Sequence, residues 1–225
     1  AVVLDPRAIA DLLQHLQIEP GPRAESLGFE KFAGDLEPFE PLVALMRERV
    51  LKSKVIHTDD TQVKLIDTSI RSTRLARVWA YLGDHGHPYT VYDFTETRKR
   101  AGPERFLSSF EGYLQADAYG GYDGIYLGSR GKIQEVSCWA HCRRYWYKSR
   151  EQDPARAHHV LGVIARLYEI ERAAHEADAA TRGSLRDAHA RPLLDGLKTW
   201  LDGEAFLPKS LIGKAATYTR NQWDG

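Results

Sequence analysis

VIHTDDTQV, residues 55–63, is a β-branched run that delivers two adjacent carboxylates, Asp59 and Asp60, just where turn-forming residues take over. A second stretch, YLQADAYGGY at 113–122, has the same design, with Asp117 closing the strand-like YLQAD before a glycine pair. Strand ends are rigid places from which to hang chemistry. Two carboxylates brought close without a cation repel, and one of them would have to hold a proton; a divalent metal between them removes that conflict and becomes a catalyst. Asp59 and Asp117 are therefore the candidate catalytic, metal-binding pair. The residues alone leave another reading open, in which Asp59 and Asp60 form a turn and Asp117 caps the element starting near Tyr119. The choice turns on whether the two strands are neighbours.

Working outward, PLVALMRERVL at 41–51 reads as a helix with Pro41 in its first turn and a broad apolar face, feeding straight into the first strand. Upstream, IADLLQHLQI at 9–18 reads as an amphipathic helix stopped by Pro20-Gly21-Pro22. Downstream, VIHTD, TQVKLID, LARVWAYLGD at 75–84 and PYTVYDFTE at 88–96 are β-rich runs separated by turn chemistry such as Asp84-His85-Gly86-His87, which predicts an antiparallel meander. A basic link leads to a helix started by Pro103 and packing through Phe106, Leu107 and Phe110. The second carboxylate strand, a short glycine-bearing helix, a strand at 133–139 and a helix at 140–148 complete this part.

Helices separating the later strands imply parallel pairing there, beside an antiparallel start. A mixed five-stranded sheet with its first and fourth strands adjacent would set Asp59 beside Asp117, which is the ribonuclease-H-like arrangement. Beyond residue 150 the character is helical: 158–178 as one long helix, a charged link ATRGSLRDAHAR, a helix at 192–201 and another at 208–223 begun near Pro208. The expected organisation is α/β: a helical lead-in and linker at 1–50, a ribonuclease-H-like core at 51–150, and an all-helical appendage at 151–225.

At 225 residues with 43% hydrophobic residues the chain can bury a real core. No run approaches the apolar length of a membrane span, and no secretory leader is legible. Lys plus Arg equals Asp plus Glu at 31 each, so any affinity for nucleic acid must come from local clusters. Two cysteines, Cys138 and Cys142, suggest a reducing, cytoplasmic setting rather than a disulfide scaffold. The first residue is Ala1 and the last stretch, WDG, carries no helix stop, which suggests a fragment.

Two clusters suit DNA. Arg98, Lys99 and Arg100 precede a helix, and Arg143, Arg144 and Lys148 are interleaved with Tyr145, Trp146 and Tyr147; cations with aromatics fit phosphates and unstacked bases. The alternative is a solvated helix face with Trp146 in the core. His57 shares the strand face of Asp59 and is either a neighbour of the metal site or a core residue. Cys138, His141 and Cys142 offer three zinc-type ligands with no fourth at a recognisable spacing.

HTDDTQV, LQADAYGGY, CWAHCRRYW, RPLLDGLKTWL and PKSLIGKAATYTRNQWD, in this order, closely resemble the central domain of transposases of the insertion sequence 66 family, over roughly residues 36–225. The resemblance implies a DDE-type transposase on a ribonuclease-H-like fold. By position it makes Asp59 the first catalytic aspartate and Asp117 the second. Asp60 stands where the family usually has glutamate, and Gln62 where it usually has proline; Asp60 and His141 become further candidates beside the metal site. The family's third carboxylate, a glutamate, is expected beyond the RNQWD stretch, outside this chain, so that the chain by itself would have little strand-transfer activity. Two Mg²⁺ or Mn²⁺ ions in the complete site, transposon-end and target DNA, a homo-oligomer in the synaptic complex and a nucleoid-associated bacterial location are further implications. Two rival expectations remain: a structure-selective nuclease on the same fold, and a catalytically dead, DNA-binding transposase remnant.

Overall fold

A computed structural model describes residues 39–67 and 72–225. The expected helix at 9–18 and its proline stop lie outside the described residues. The chain divides into two compact units, the first ending at Val136 and the second running from Ser137 to Gly225.

In the first unit, helix α1 (Glu40–Leu51), with Pro41 in its first turn, leads into strand β1 (Val55–Asp67). β2 (Ser72–Leu82) returns antiparallel to β1, and β3 (Thr90–Thr95) antiparallel to β2. The turn between β2 and β3 is closed by Asp84, whose carboxylate accepts the N–H groups of Gly86 (3.0 Å), His87 (3.1 Å) and, from across the β1 lead-in, Lys54 (2.6 Å). Helix α2 (Ala101–Phe106), strand β4 (Gly112–Ala116), helix α3 (Asp123–Gly128) and strand β5 (Ile133–Ser137) follow. The sheet order is β3-β2-β1-β4-β5, with β4 parallel to β1. This is the mixed, ribonuclease-H-like α/β sheet, with first and fourth strands adjacent.

One sheet face is covered. Ile56, Thr58, Trp79, Tyr81, Val91, Leu114 and Ala116 alternate inward along their strands and are buried together with Val50 of α1, Phe106 of α2, Tyr122 just before α3 and Ile125 of α3. Tyr81 stacks on Phe106 with ring centroids 3.6 Å apart, and the buried Thr58 hydroxyl meets the Tyr122 hydroxyl at 3.2 Å. The other face carries His57 and Asp59, with exposed Leu82, Tyr92 and Phe94 across the register. β4 can start beside β1 because Gly112 has φ 151° and a Cβ there would meet the Lys54 carbonyl oxygen at 2.5 Å, a position that only glycine fills without strain.

β1 corrects one expectation. No turn interrupts it at Asp59-Asp60: the strand runs unbroken over 13 residues, and Thr61, Gln62 and Val63 pair with Val78, Arg77 and Ala76 of β2. The long ladder with β2 overrides the turn preference of two consecutive aspartates.

The second unit is helical after β5. It contains α4 (Trp139–Ser149), α5 (Pro154–Ala173, capped by the Asp153 carboxylate on the Arg156 N–H at 3.2 Å), α6 (Ala179–Leu185), α7 (Arg191–Gly203) and α8 (Leu211–Asn221). The stretch expected to be a charged link is instead helical, because α6 continues through a π turn at Arg186–Ala190 into α7. α8 begins at the Ser210 cap, whose hydroxyl accepts the Gly213 N–H at 3.0 Å, rather than at Pro208. Its core gathers Cys142 and Trp146 of α4, Val160 and Ile164 of α5, Leu197 and Leu201 of α7, and Ile212 and Ala216 of α8. Thr219 links this core by accepting the Trp146 indole N–H at 2.8 Å. Among the described residues, no helix is long and apolar enough to cross a membrane.

Candidate active site

The parallel pairing of β1 and β4 sets Val55 opposite Tyr113, Ile56 opposite Leu114 and His57 opposite Gln115. Parallel strands keep a constant offset, so two residues further on Asp59 comes level with Asp117. Carboxylate oxygens of the two residues lie within 4.8 Å of each other. Asp59 sits mid-strand on the open face and Asp117 just past the end of β4. One turn-like contact shapes each. Asp59 Oδ1 accepts the Asp60 N–H at 2.9 Å, and Asp117 Oδ1 accepts the Tyr119 N–H at 3.1 Å. Beside them His57 Nδ1 contacts Gln115 Oε1 at 2.5 Å, which orients the imidazole on the same face as Asp59.

The chemistry of this pair suits a hard divalent cation. A magnesium ion with oxygen ligands at about 2.1 Å spans up to about 4.2 Å between opposed ligands, so oxygens within 4.8 Å need only small side-chain adjustments to share one ion. Two full negative charges at that separation repel by about 1 kcal/mol at the dielectric of water and about 3.5 kcal/mol at an effective dielectric near 20, and some positive charge must offset this.

Asp60 plays a different part from its neighbour. Strand alternation turns it to the covered face opposite Trp79, and its side chain is 1% exposed. A buried carboxylate needs partners, and it has two arginines. Arg77 Nη1 donates to Oδ2 at 2.8 Å; Arg98 donates from Nε at 2.9 Å and from Nη2 at 2.6 Å, both to Oδ1. The same Arg98 Nη2 also donates to Asp117 Oδ2 at 3.2 Å. Burial opposes the charge on Arg98, but its bonds and ion pairs with Asp60 and then Asp117 win and raise its pKa. Its guanidinium lies 4.1 Å over the Tyr119 ring, and the Tyr119 hydroxyl donates to the Arg98 carbonyl.

The remaining candidates are placed as follows. Lys99 and Arg100 are exposed; Arg100 Nε donates to the Gly121 carbonyl at 3.1 Å, and its guanidinium lies against the bare Cα of Gly124. On α4, Arg143, Arg144, Tyr145, Tyr147 and Lys148 are exposed, whereas Trp146 is fully buried, so this tryptophan is core. Arg143 and Arg150 both lie over the Tyr147 ring, at 5.6 and 3.8 Å. His141, half-buried on α4, belongs to the second unit, where it hydrogen-bonds Cys138; although burial of that thiol works the other way, this bond and the N–H groups of His141 and Ala140 lower the Cys138 pKa. Cys142 is buried against the Thr219 hydroxyl at 3.2 Å, and burial raises its pKa.

Residues 30–225 match the family described as "Transposase IS66 family". The chain belongs to the IS66 transposase family. It is also similar to proteins of Sinorhizobium fredii (strain NBRC 101917 / NGR234). Uncharacterized protein y4hP is 26% identical over 208 residues, 82% of this chain and 37% of that protein. Uncharacterized protein y4jD is 28% identical over 184 residues, 76% of this chain and 36% of that protein. The chain thus spans little more than a third of the length of the curated relatives it matches. Within this IS66 domain, the clamp of Arg98 on Asp60 and Asp117 had no local sequence signal: 38 and 19 residues separate the partners.

Proposed function

We propose that this IS66 domain supplies two of the carboxylates with which a DNA transposase cuts and joins the ends of its element by metal-assisted phosphoryl transfer. Asp59 and Asp117 would hold Mg²⁺ or Mn²⁺ through hard oxygen ligands, with two ions in the complete site and a glutamate outside residues 1–225 as a third protein ligand. A bound divalent ion would acidify the attacking water or 3′-hydroxyl and neutralise charge on the leaving oxygen. The chain's own residues orient and charge-balance the site: Tyr119 fixes one oxygen of Asp117, Arg98 the other, and the His57–Gln115 contact braces the face beside Asp59. The exposed cations of α4, Arg143, Arg144 and Lys148, with Lys99, would hold DNA through its phosphates, which positions a duplex without reading its sequence.

The observation that carries this reading is the parallel register that brings Asp59 level with Asp117, with oxygens within 4.8 Å. Asp59→Asn and Asp117→Asn in the full-length transposase test it, scored by cleavage and joining of labelled element-end DNA in Mg²⁺ or Mn²⁺. Each variant is expected to lose activity by at least about a hundredfold while binding end DNA as before. Unchanged joining by either variant would remove that residue from the mechanism. Hybrid and junction substrates run in parallel separate a transposase from a nuclease of the same fold.

A further inference from the structure

Asp117 is engaged asymmetrically. Its Oδ1 accepts the Tyr119 N–H, while its Oδ2 receives a single, longer bond from Arg98 at 3.2 Å. The same guanidinium is fixed at two points on Asp60, at 2.9 and 2.6 Å, and that carboxylate is almost wholly buried, whereas the Asp117 side chain is 22% exposed. Tyr119 supports the arrangement from below, through its ring and its hydroxyl. Arg98 is thus anchored on Asp60 and leans on Asp117. The leaning contact is the weaker of the two and can be given up without disturbing the anchor.

We propose that Arg98 is a built-in counterion that competes with a divalent cation for Asp117 and so sets the metal affinity of the Asp59–Asp117 pair. The inference rests on the metal-binding reading of that pair given above. Two effects of the guanidinium oppose each other. It helps to orient Asp117, which favours binding, and it occupies Oδ2 and repels an incoming cation, which disfavours it. Orientation is the lesser loss, because the Tyr119 N–H holds the other oxygen without help from Arg98. Competition is the greater effect, since a fixed positive charge stays in bonding range of one of the two Asp117 oxygens open to a cation. Arg98 is in this sense a positioning residue whose charge makes the carboxylate pair tolerable when no metal is bound and lowers its affinity when one arrives.

Mn²⁺ binding to the 225-residue chain, followed by calorimetry and by the electron paramagnetic resonance signal of free ion, tests this in the wild type, Asp117→Asn, Arg98→Gln and Arg98→Lys. Wild-type binding is expected to vanish in Asp117→Asn. Arg98→Gln is expected to bind roughly three- to tenfold tighter, and Arg98→Lys, which keeps the charge but cannot bridge both carboxylates, to fall between it and the wild type. A merely structural arginine would give the opposite sign, weaker binding in Arg98→Gln. Equal or weaker binding in Arg98→Gln, alongside wild-type binding that Asp117→Asn abolishes, overturns the inference and leaves the site intact. Absence of any Asp117-dependent binding in every form defeats the metal-binding reading itself. Should Arg98→Gln fail to fold, the D60N/R98Q double variant, which removes the buried charge together with one of its two arginines, takes its place under the same criteria.

Discussion

Replacing Asp60 by asparagine should destabilise the first unit far more than the same change at Asp117, although only Asp117 is a candidate metal ligand. The Asp60 side chain is 1% exposed and receives guanidinium bonds of 2.8, 2.9 and 2.6 Å. Removing one partner of a buried ion pair costs about 3–5 kcal/mol when the remaining charge is stranded. Here the stranded charges are only partly buried: the side chains of Arg77 and Arg98 are 23% and 36% exposed, Arg98 retains Asp117, and asparagine keeps one acceptor oxygen. These discounts bring the expected loss to about 2–3 kcal/mol, which for a unit of this size lowers the melting temperature by roughly 6–12 °C. Asp117→Asn gives up one bond of 3.2 Å at a more open site and relieves repulsion with Asp59, so its cost should stay below about 1 kcal/mol. Urea and thermal unfolding followed by circular dichroism, at neutral pH without metal, measure both. Loss of less than about 0.5 kcal/mol in Asp60→Asn, or equal losses in the two variants, would refute the claim that Asp60 is the anchor.

Three further outcomes are expected. Asp84→Ala leaves three backbone N–H groups without their acceptor and should cost about 1–2 kcal/mol at neutral pH; because those bonds and His87 depress the Asp84 pKa against the effect of burial, the deficit relative to wild type holds above the ordinary aspartate range and fades as pH falls below about 4, which unfolding curves from pH 7 to 3 would record. Cys138, half-buried with a lowered pKa, should react with iodoacetamide well before buried Cys142, and His141→Ala should slow Cys138 alone, as peptide mass spectrometry of timed samples would show. Arg144→Ala and Lys148→Ala on the exposed side of α4 should weaken binding to every duplex alike and each lower the slope of log affinity against log salt by about 0.9, measured by fluorescence anisotropy between 50 and 200 mM salt.

Element types and pairing were legible because each rests on a local pattern. The β-rich runs at 55–67 and 75–84, the turn residues at Asp84-His85-Gly86-His87 and the helices between later strands lead to a mixed sheet with β1 beside β4. Local patterns also misled. Two consecutive aspartates read as a turn, yet the ladder from Thr61 to Val63 carries β1 straight through them. The charged stretch before Arg191 read as a link, yet it is helical, with Glu171 and Arg186 paired at 2.7 Å across 15 residues of sequence. The basic run Arg98-Lys99-Arg100 offers three cations that composition alone does not tell apart. Which of the three faces solvent and which binds a carboxylate is decided by where the loop after β3 lands in the tertiary structure, and no neighbouring residue encodes that.

The Asp59-Asp60 dipeptide shows how much a single step along a strand can separate in chemistry. Successive side chains of β1 point to opposite faces, so one carboxylate reaches the open side, level with Asp117, and the other enters the covered face, opposite Trp79. A carboxylate buried there needs cationic partners, and one of them is Arg98 from the loop beyond β3. That guanidinium also donates to Asp117, so the two strands that carry the carboxylate pair are joined by backbone pairing and, through Asp60 and Arg98, by a charge link as well. Shifting the register of β1 by one residue would exchange the two aspartates and break both arrangements at once.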